Sequence, residues 1–145
     1  MPILNYTTKV AVNQTVSEVH QILAKAGANA ILNEYDGQGN ISGVKFRLEI
    51  KGAQVFYDLP VNVAGVSGAL KKGRQYRDDA HARRVAWRIV KDWIEAQMAI
   101  VLAGMAEVPQ VFLPYAQTDN GQSVYHRITA NGMKLLSNDS KDEAP

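Results

Sequence analysis

The segment from Ile41 to Lys51 restricts the possible folds of this chain more than any other, because apolar and charged side chains alternate along most of it. The apolar members are Val44, Phe46, Leu48 and Ile50, and the charged members are Lys45, Arg47, Glu49 and Lys51. A period of two is typical of a strand with one face in the core and one in water. Glycine-containing turns separate it from two further predicted strands, Ala30–Asp36 and Gln54–Leu59. The sequence therefore predicts a three-strand antiparallel meander.

A further strand and two helices are predicted on either side of this meander. Residues Ile3 to Val12 alternate like a strand. A helix should follow, because Thr15 and Glu18 have the spacing of a capping box. Gly27 suits its end, since glycine accepts a left-handed backbone. After the meander, a short helix is predicted within Val61–Lys72.

The longest helix is predicted from Asp78 or Asp79 to about Glu107. The segment VFLPY at 111–115 is predicted to be extended, and Gln122–Ala130 to be a short helix. This order of elements predicts an α+β fold in which helices, one of them long and C-terminal, pack on one face of an antiparallel sheet. Residues 1–136 are expected to form a single domain, and residues 137–145 an acidic polar tail.

Composition excludes several classes of function. The formal net charge is only +2, so binding to nucleic acid would require a local basic patch. There are no cysteines, which excludes disulfides, thiolate metal sites and thiol catalysis. The longest apolar run, Met98–Ala103, is too short to span a bilayer, and no signal peptide is expected.

No catalytic or metal-binding motif is predicted. The G-x-G within Asp36–Asn40 lies in a hairpin turn and not between a strand and a helix. His20, His81 and His126 share no metal-ligand spacing, and the first two are expected at the surface. No Ser/His/Asp motif is present. The chain is therefore expected to be a non-enzymatic protein without a metal or a cofactor.

The candidate site is the stretch RRVAWRIVKDW at 83–93, within the longest helix. At 3.6 residues per turn, the predicted core side contains Ala86, Ile89, Val90, Trp93, Ala96, Ile100 and Gly104. Trp87 falls instead among basic side chains at three- and four-residue spacing. It is either a stacking platform for a base, with cations for phosphates, or a ring covered by arginine stems whose charges are solvated.

The residues predicted to bind a ligand combine this helix with two other segments. They are Arg83, Arg84, Trp87, Arg88 and Lys91 from the helix, Tyr76 and Arg77 from the residues before it, and Lys45 and Arg47 from the open face of the sheet. Lys71, Lys72 and Arg74 extend the positive cluster upstream.

The segment RVAWRIVKDWIEAQMAI at 84–100, followed by VFLPY, resembles a family of small proteins encoded by phages and prophages. The opening LNYTT and a spaced GA, EYD, F and LP pattern extend the resemblance from about Pro2 to Leu136. The family has no settled activity, so the resemblance implies a phage setting and the host cytoplasm but assigns no catalytic residue.

Three functions are compatible with these observations. The expected one is binding of nucleic acid, in particular single-stranded DNA, in phage replication or recombination. The alternative is an anti-defence sponge, which sequesters a cyclic or linear nucleotide messenger or otherwise inhibits a host immune protein. A basic patch can also meet an acidic host protein. A homo-oligomer is expected, because one basic helix is a small footprint that symmetry would multiply.

Overall fold

The computed structural model describes residues 1–136, and the expected acidic tail at 137–145 lies outside the described residues. The helices are Val12–Lys25 (α1), Val63–Lys72 (α2), Asp79–Leu102 (α3), Val108–Val111 (α4) and Val124–Ala130 (α5), with a 3-10 helix at Leu113–Tyr115. The strands are Ala30–Tyr35 (β1), Ile41–Ile50 (β2) and Ala53–Asp58 (β3). The predicted α+β class, the meander and the long helix are confirmed.

The three strands form one antiparallel sheet in the order β1-β2-β3. Its inner face follows the predicted alternation, because Val44, Phe46 and Leu48 of β2 are buried. They share a core with α1 and α3, to which these helices contribute Val16, Val19, Leu23, Trp87, Val90 and Ile94. The outer face carries Leu32 and Phe56, whose side chains are about half exposed. The helices therefore cover one side of the sheet.

Aromatic side chains join the later part of the chain to this core. Phe46 stacks on Tyr57 with ring centroids 5.0 Å apart, and Phe112 meets Phe46 edge-on at 5.2 Å. Trp93 contacts Phe112 edge-on at 5.7 Å. The segment after the 3-10 helix then pairs with β3, since the backbone N–H of Gln117 donates to the carbonyl of Phe56. Edge-on aromatic contacts of this kind add to the stability that burial provides.

The predicted first strand, Ile3 to Val12, is wrong. Residues 4–7 form a turn in which Asn5 has a φ of +66°. The segment is held by α3 and not by the sheet: the Asn5 amide donates to Asp92 Oδ2 at 2.7 Å, and His81 Nε2 lies 2.7 Å from the carbonyl oxygen of Tyr6. Alternation alone cannot make a strand where no partner strand satisfies the backbone groups.

The predicted capping box at the start of α1 is also wrong. The helix begins at Val12, ahead of Thr15, and its N-cap residue Ala11 makes no side-chain cap. Thr15 is fully buried, and Glu18 points to α3, where it pairs with Arg88. The two polar side chains thus serve the α1–α3 contact. The predicted helix end is confirmed, because Gly27 follows it with a φ of +103°.

Two predictions at the end of α3 are corrected. The helix ends at Leu102, before Glu107, and Gly104 follows with a φ of +76°, which an L-residue adopts at a cost. The segment VFLPY is not extended, since it completes α4 and forms the 3-10 helix. Both short helices begin with a proline in the first turn, where the missing N–H costs nothing.

The buried side of α3 agrees with the predicted one only in part: Ala86 and Val90 are buried and Trp93 packs against the core, as predicted. Trp87 and Ile94 are fully buried, whereas Ala96 and Ile100 are exposed. The reason is that α3 packs against two elements, the α1–sheet core through Trp87 and a second cluster with α2 through Ala82 and Val85. Within residues 1–136, no helix is long and apolar enough to cross a membrane.

Candidate functional site

Trp87 is a core residue and not a stacking platform. Its side chain is 0% exposed and packs in the cluster that joins α1, the sheet and α3. Its indole Nε1 finds no hydrogen-bond partner among the described residues. A ring without accessible surface cannot stack on a base, so the platform predicted from the spacing of the arginines is wrong.

Arg88 is held in the interior between two helices. Its Nη1 lies 2.6 Å from Glu18 Oε2 and 3.4 Å from the hydroxyl oxygen of Thr15, both on α1. Only 16% of its side chain is exposed. A guanidinium bound to a carboxylate in this way joins α1 to α3 and has little free charge for a ligand.

Lys91 is paired within its own helix. Its Nζ forms an ion pair with Glu95, one turn further along α3, and lies 4.0 Å from Asp92 Oδ1. The second half of the predicted basic face is therefore neutral. The predicted ligand-binding roles of Arg88 and Lys91 have no support in these contacts.

Lys45 and Arg47 lie on the outer face of the sheet, away from α3. Lys45 Nζ is 3.8 Å from Glu34 Oε2, and Lys45 lies opposite Asp58 of the neighbouring strand β3. Arg47 donates from Nε to Asn29 Oδ1 at 2.8 Å, and its guanidinium stands 5.9 Å from the ring centre of Phe56. Because three carboxylates, Glu34, Glu49 and Asp58, share this face with two cations, it is not a basic surface.

The pKa of Asp58 shows how the outer face affects a carboxyl group. Burial raises the pKa of its carboxyl, Lys45 opposes that shift, and Glu34 adds to it. The carboxylate is thus partly withdrawn from water without a hydrogen bond to another described side chain. The outer face is a mixed-charge surface and cannot join with α3 in one binding site.

Tyr76 and Arg77 line a groove of about 410 Å³ between the N-terminal segment and the α2–α3 connection. We call this the tyrosine groove; its lining residues are Tyr6, Thr7, Lys9, Arg74, Gln75, Tyr76 and Arg77. Three of the seven are cations and two are tyrosines. None of the seven is a carboxylate, which distinguishes this groove from the outer face of the sheet.

Local structure fixes both walls of the tyrosine groove. Asp78 caps α3 by accepting from the backbone N–H of His81 at 2.7 Å. His81 is buried, contrary to its predicted surface position, and its Nε2 contacts the Tyr6 carbonyl on the opposite wall. Arg74 follows α2 with a φ of +61°, and the backbone N–H of Gln75 donates to the Leu70 carbonyl. The groove is thus anchored to α2 and α3.

The cations of the tyrosine groove are free of ion pairs within residues 1–136. No described carboxylate lies within 4.0 Å of the charged nitrogens of Lys9, Arg74 or Arg77. Lys71 Nζ stands 4.7 Å from the ring centre of Tyr76. The Tyr76 hydroxyl donates to Asp79 Oδ1 at 2.7 Å, and this bond raises the pKa of the tyrosine. The ring is therefore oriented and stays neutral.

Arg83 and Arg84 occupy different positions at the start of α3. Arg83 lies where two cavities meet, beside α1 and the β1–β2 turn. Arg84 is half-buried, and its Nε makes no hydrogen bond to a described group. Neither arginine is in the set of residues that lines the tyrosine groove. The predicted residues are thus divided among several places and not gathered in one.

Sequence reasoning missed four lining residues of the tyrosine groove, Tyr6, Thr7, Lys9 and Gln75, and one cavity. Lys9 and Tyr6 were assigned to a strand, so their proximity to Arg77 could not be inferred. The cavity beside Arg83 is also lined by His20 and Asn33, whose side chains are 2.7 Å apart. The residues that line this cavity come from elements that are distant in sequence, so no local motif predicts the cavity.

Comparisons with known proteins found no match to this chain, since no family model, no curated protein and no solved structure matches it. Within residues 1–136, no group of three or more histidine, aspartate or glutamate side chains is arranged to hold a metal ion.

Proposed function

We propose that this protein binds single-stranded nucleic acid in the tyrosine groove and catalyses no reaction on it. The observation that carries the proposal is the lining of that groove, in which Lys9, Arg74 and Arg77 surround Tyr6 and Tyr76 with no carboxylate among the lining residues. Cations attract the phosphates, and tyrosine rings offer flat apolar faces to bases.

A single strand fits this chemistry better than a duplex. Stacking on tyrosine requires unstacked bases, which a strand offers and a closed duplex does not. Tyr6 is 36% exposed, so its ring is accessible, while Lys71 occupies one side of Tyr76. A groove of this size accommodates a base with its sugar and phosphate, and the flanking Lys71 and Lys72 extend the positive charge along a strand.

The wider setting is part of the same proposal. The resemblance to phage proteins favours action in the host cytoplasm, during replication or recombination of phage DNA. Self-association would place several tyrosine grooves along one strand and raise affinity by avidity. Sedimentation of the protein with and without an oligonucleotide measures that assembly directly.

The proposal is tested by the salt dependence of binding to a labelled oligothymidine of about fifteen nucleotides, a length within the usual site sizes. Three phosphates neutralised per protomer predict a log–log slope of roughly −2. Lys9→Glu with Arg77→Glu should lower the affinity at least about tenfold and flatten the slope. Arg74 is left unchanged, because its positive φ makes any substitution there ambiguous.

A matched control has the same change in net charge at exposed cations outside the groove. Lys25→Glu with Lys134→Glu alters the charge by the same amount and should change the affinity by less than about threefold. Equal losses in the two double variants would mean that only overall charge matters. No binding to the wild-type protein at low salt would reject nucleic acid as the ligand.

A further inference from the structure

A second cavity lies between α1, β1 and the β1–β2 turn, beside Arg83 of α3. Its volume is about 470 Å³, within the range of small-molecule sites. A smaller cavity of about 270 Å³ adjoins it, and the two share Ile41 and Arg83. We call the larger one the Arg83 cavity. It has no lining residue in common with the tyrosine groove.

Arg83 is the one arginine or lysine among the residues lining this cavity, and it forms no ion pair with a described residue, although its charge helps to lower the pKa of the nearby Asp36. No described carboxylate oxygen lies within 4.0 Å of its guanidinium nitrogens. Asp36 lines only the smaller cavity. Its Oδ1 already accepts from the backbone N–H groups of Gln38 at 2.8 Å and Asn40 at 3.0 Å. Arg83 is therefore available to bind an anion, and a guanidinium matches the geometry of phosphate.

The rest of the lining has no carboxylate and combines polar side chains with the apolar Val12, Val16 and Ile41. Asn33 Oδ1 lies 2.7 Å from His20 Nε2, and this contact orients the Asn33 side chain with its amide nitrogen free of other described partners. Asn13 and Asn40 add two more amides, each of which can donate and accept. The edge of a nucleobase presents the same mixture of donors and acceptors.

Two further features suit a nucleotide. Tyr35 lines the cavity and is 63% exposed, so its ring is available for stacking at the entrance. Val12 and Asn13, the first two residues of α1, also line it, and α1 has no side-chain cap. Its first backbone N–H groups therefore lack a side-chain acceptor and add donors to those of Arg83.

We propose that the Arg83 cavity binds a nucleoside monophosphate, with the phosphate at Arg83 and the base among the asparagine side chains. The nucleotide is bound and not converted. This site does not depend on the proposed function of the tyrosine groove, because the two sites share no lining residue. A nucleotide bound here would be a separate ligand, and the two can be lost independently.

Calorimetric titration with adenosine 5′-monophosphate and uridine 5′-monophosphate tests the proposal, with inorganic phosphate and adenosine as partial probes. At least one nucleotide should bind with a Kd of about 100 µM or tighter, and both partial probes at least about tenfold more weakly. Arg83→Met retains the apolar stem and should weaken nucleotide binding at least about tenfold. Arg127→Met, at an exposed arginine on α5, is the matched control and should bind as the wild type does.

Asn33→Asp provides a second variant should Arg83→Met fail to fold. It preserves the acceptor for His20 but places a carboxylate in the cavity, so it should also weaken nucleotide binding at least about tenfold. The Lys9→Glu with Arg77→Glu variant should bind the nucleotides normally, which separates this site from the groove. Absence of nucleotide binding to the wild type, equal binding of inorganic phosphate, or full binding by Asn33→Asp would each overturn the proposal.

Discussion

Arg83 and Arg88 stand five residues apart on the same helix and meet opposite surroundings. Arg88 binds Glu18 at 2.6 Å, with Thr15 beside it, and most of its surface is buried against α1. Arg83 meets no described carboxylate within 4.0 Å and borders two cavities. One guanidinium holds the fold together, and the other is open to a ligand.

The difference between the two halves of the basic stretch at 83–93 comes from the neighbouring side chains that surround each half. The second half faces Glu18 of α1 and has Asp92 and Glu95 of α3 beside it, which neutralise Arg88 and Lys91. In the first half, Arg83 lies beside α1 and the β1–β2 turn, where no described carboxylate oxygen lies within 4.0 Å of its guanidinium nitrogens. A count of positive residues along a helix is therefore a poor guide to a binding surface. The positions of carboxylates on neighbouring elements decide which cations are available.

The largest expected effect concerns the tryptophan between these two halves. Trp87→Ala should lower the free energy of unfolding by about 3–5 kcal/mol, because a fully buried indole is removed from the core. Trp87→Phe should cost less, since the indole Nε1 has no described hydrogen-bond partner to lose. Urea denaturation followed by circular dichroism measures both. A Trp87→Ala variant that is as stable as the wild type would place the ring at the surface after all.

The next effect separates Arg88 from Arg83 directly. A double-mutant cycle on Arg88→Ala and Glu18→Ala should give a coupling energy of about 1–2 kcal/mol, as expected for a half-buried charged hydrogen bond. Arg83→Ala alone should change stability by less than about 0.5 kcal/mol. The same denaturation series measures the four proteins of the cycle and Arg83→Ala. A coupling near zero, or a large loss for Arg83→Ala, would reverse the roles assigned to the two arginines.

Elements with a strong local signal could be predicted from the sequence. The alternation in β2 requires only that one face be buried, and the start of α3 follows from the short side chain of Asp78, which caps the helix as expected. Gly27 ends the α1 region for a reason that lies within its own backbone. These signals depend on residues a few positions apart, which is why they survive in the folded chain.

Features that depend on distant partners could not be predicted. Ile3 to Val12 alternates like a strand, but its hydrogen bonds go to Asp92 and His81 of α3. Thr15 and Glu18 have capping-box spacing, but the helix begins three residues before Thr15. Both side chains instead accept hydrogen bonds from the distant Arg88. The same limit applies to the site. Tyr76 and Arg77 are adjacent in sequence and were predicted together as candidates, whereas Lys9 joins them in the tyrosine groove only through the path of the N-terminal segment.

A smaller effect is expected from the lysine in the second half of α3. The Lys91–Glu95 pair has i,i+4 spacing, so a double-mutant cycle to alanine should give a coupling of about 0.3–0.5 kcal/mol. High salt should reduce it, because Glu95 is largely exposed. Denaturation at low and high ionic strength measures the coupling. A coupling that is insensitive to salt would mean that the pair is shielded from water.

The smallest effect concerns the outer face of the sheet, where Lys45 is paired with a carboxylate as Arg88 and Lys91 are on α3. Burial raises the folded-state pKa of Asp58 above the ordinary value, so the native state binds this proton more tightly than the unfolded state does. The stability that this proton gives is present below the unfolded-state pKa and is lost as the pH rises through the folded-state pKa. Asp58→Asn carries no such charge, so near neutral pH it should be slightly more stable than the wild type, by an amount that solvent screening keeps small. The difference should close as the pH falls below about 4. Urea midpoints at the two pH values measure it, and a variant that is less stable near neutral pH would show that attraction to Lys45 outweighs burial.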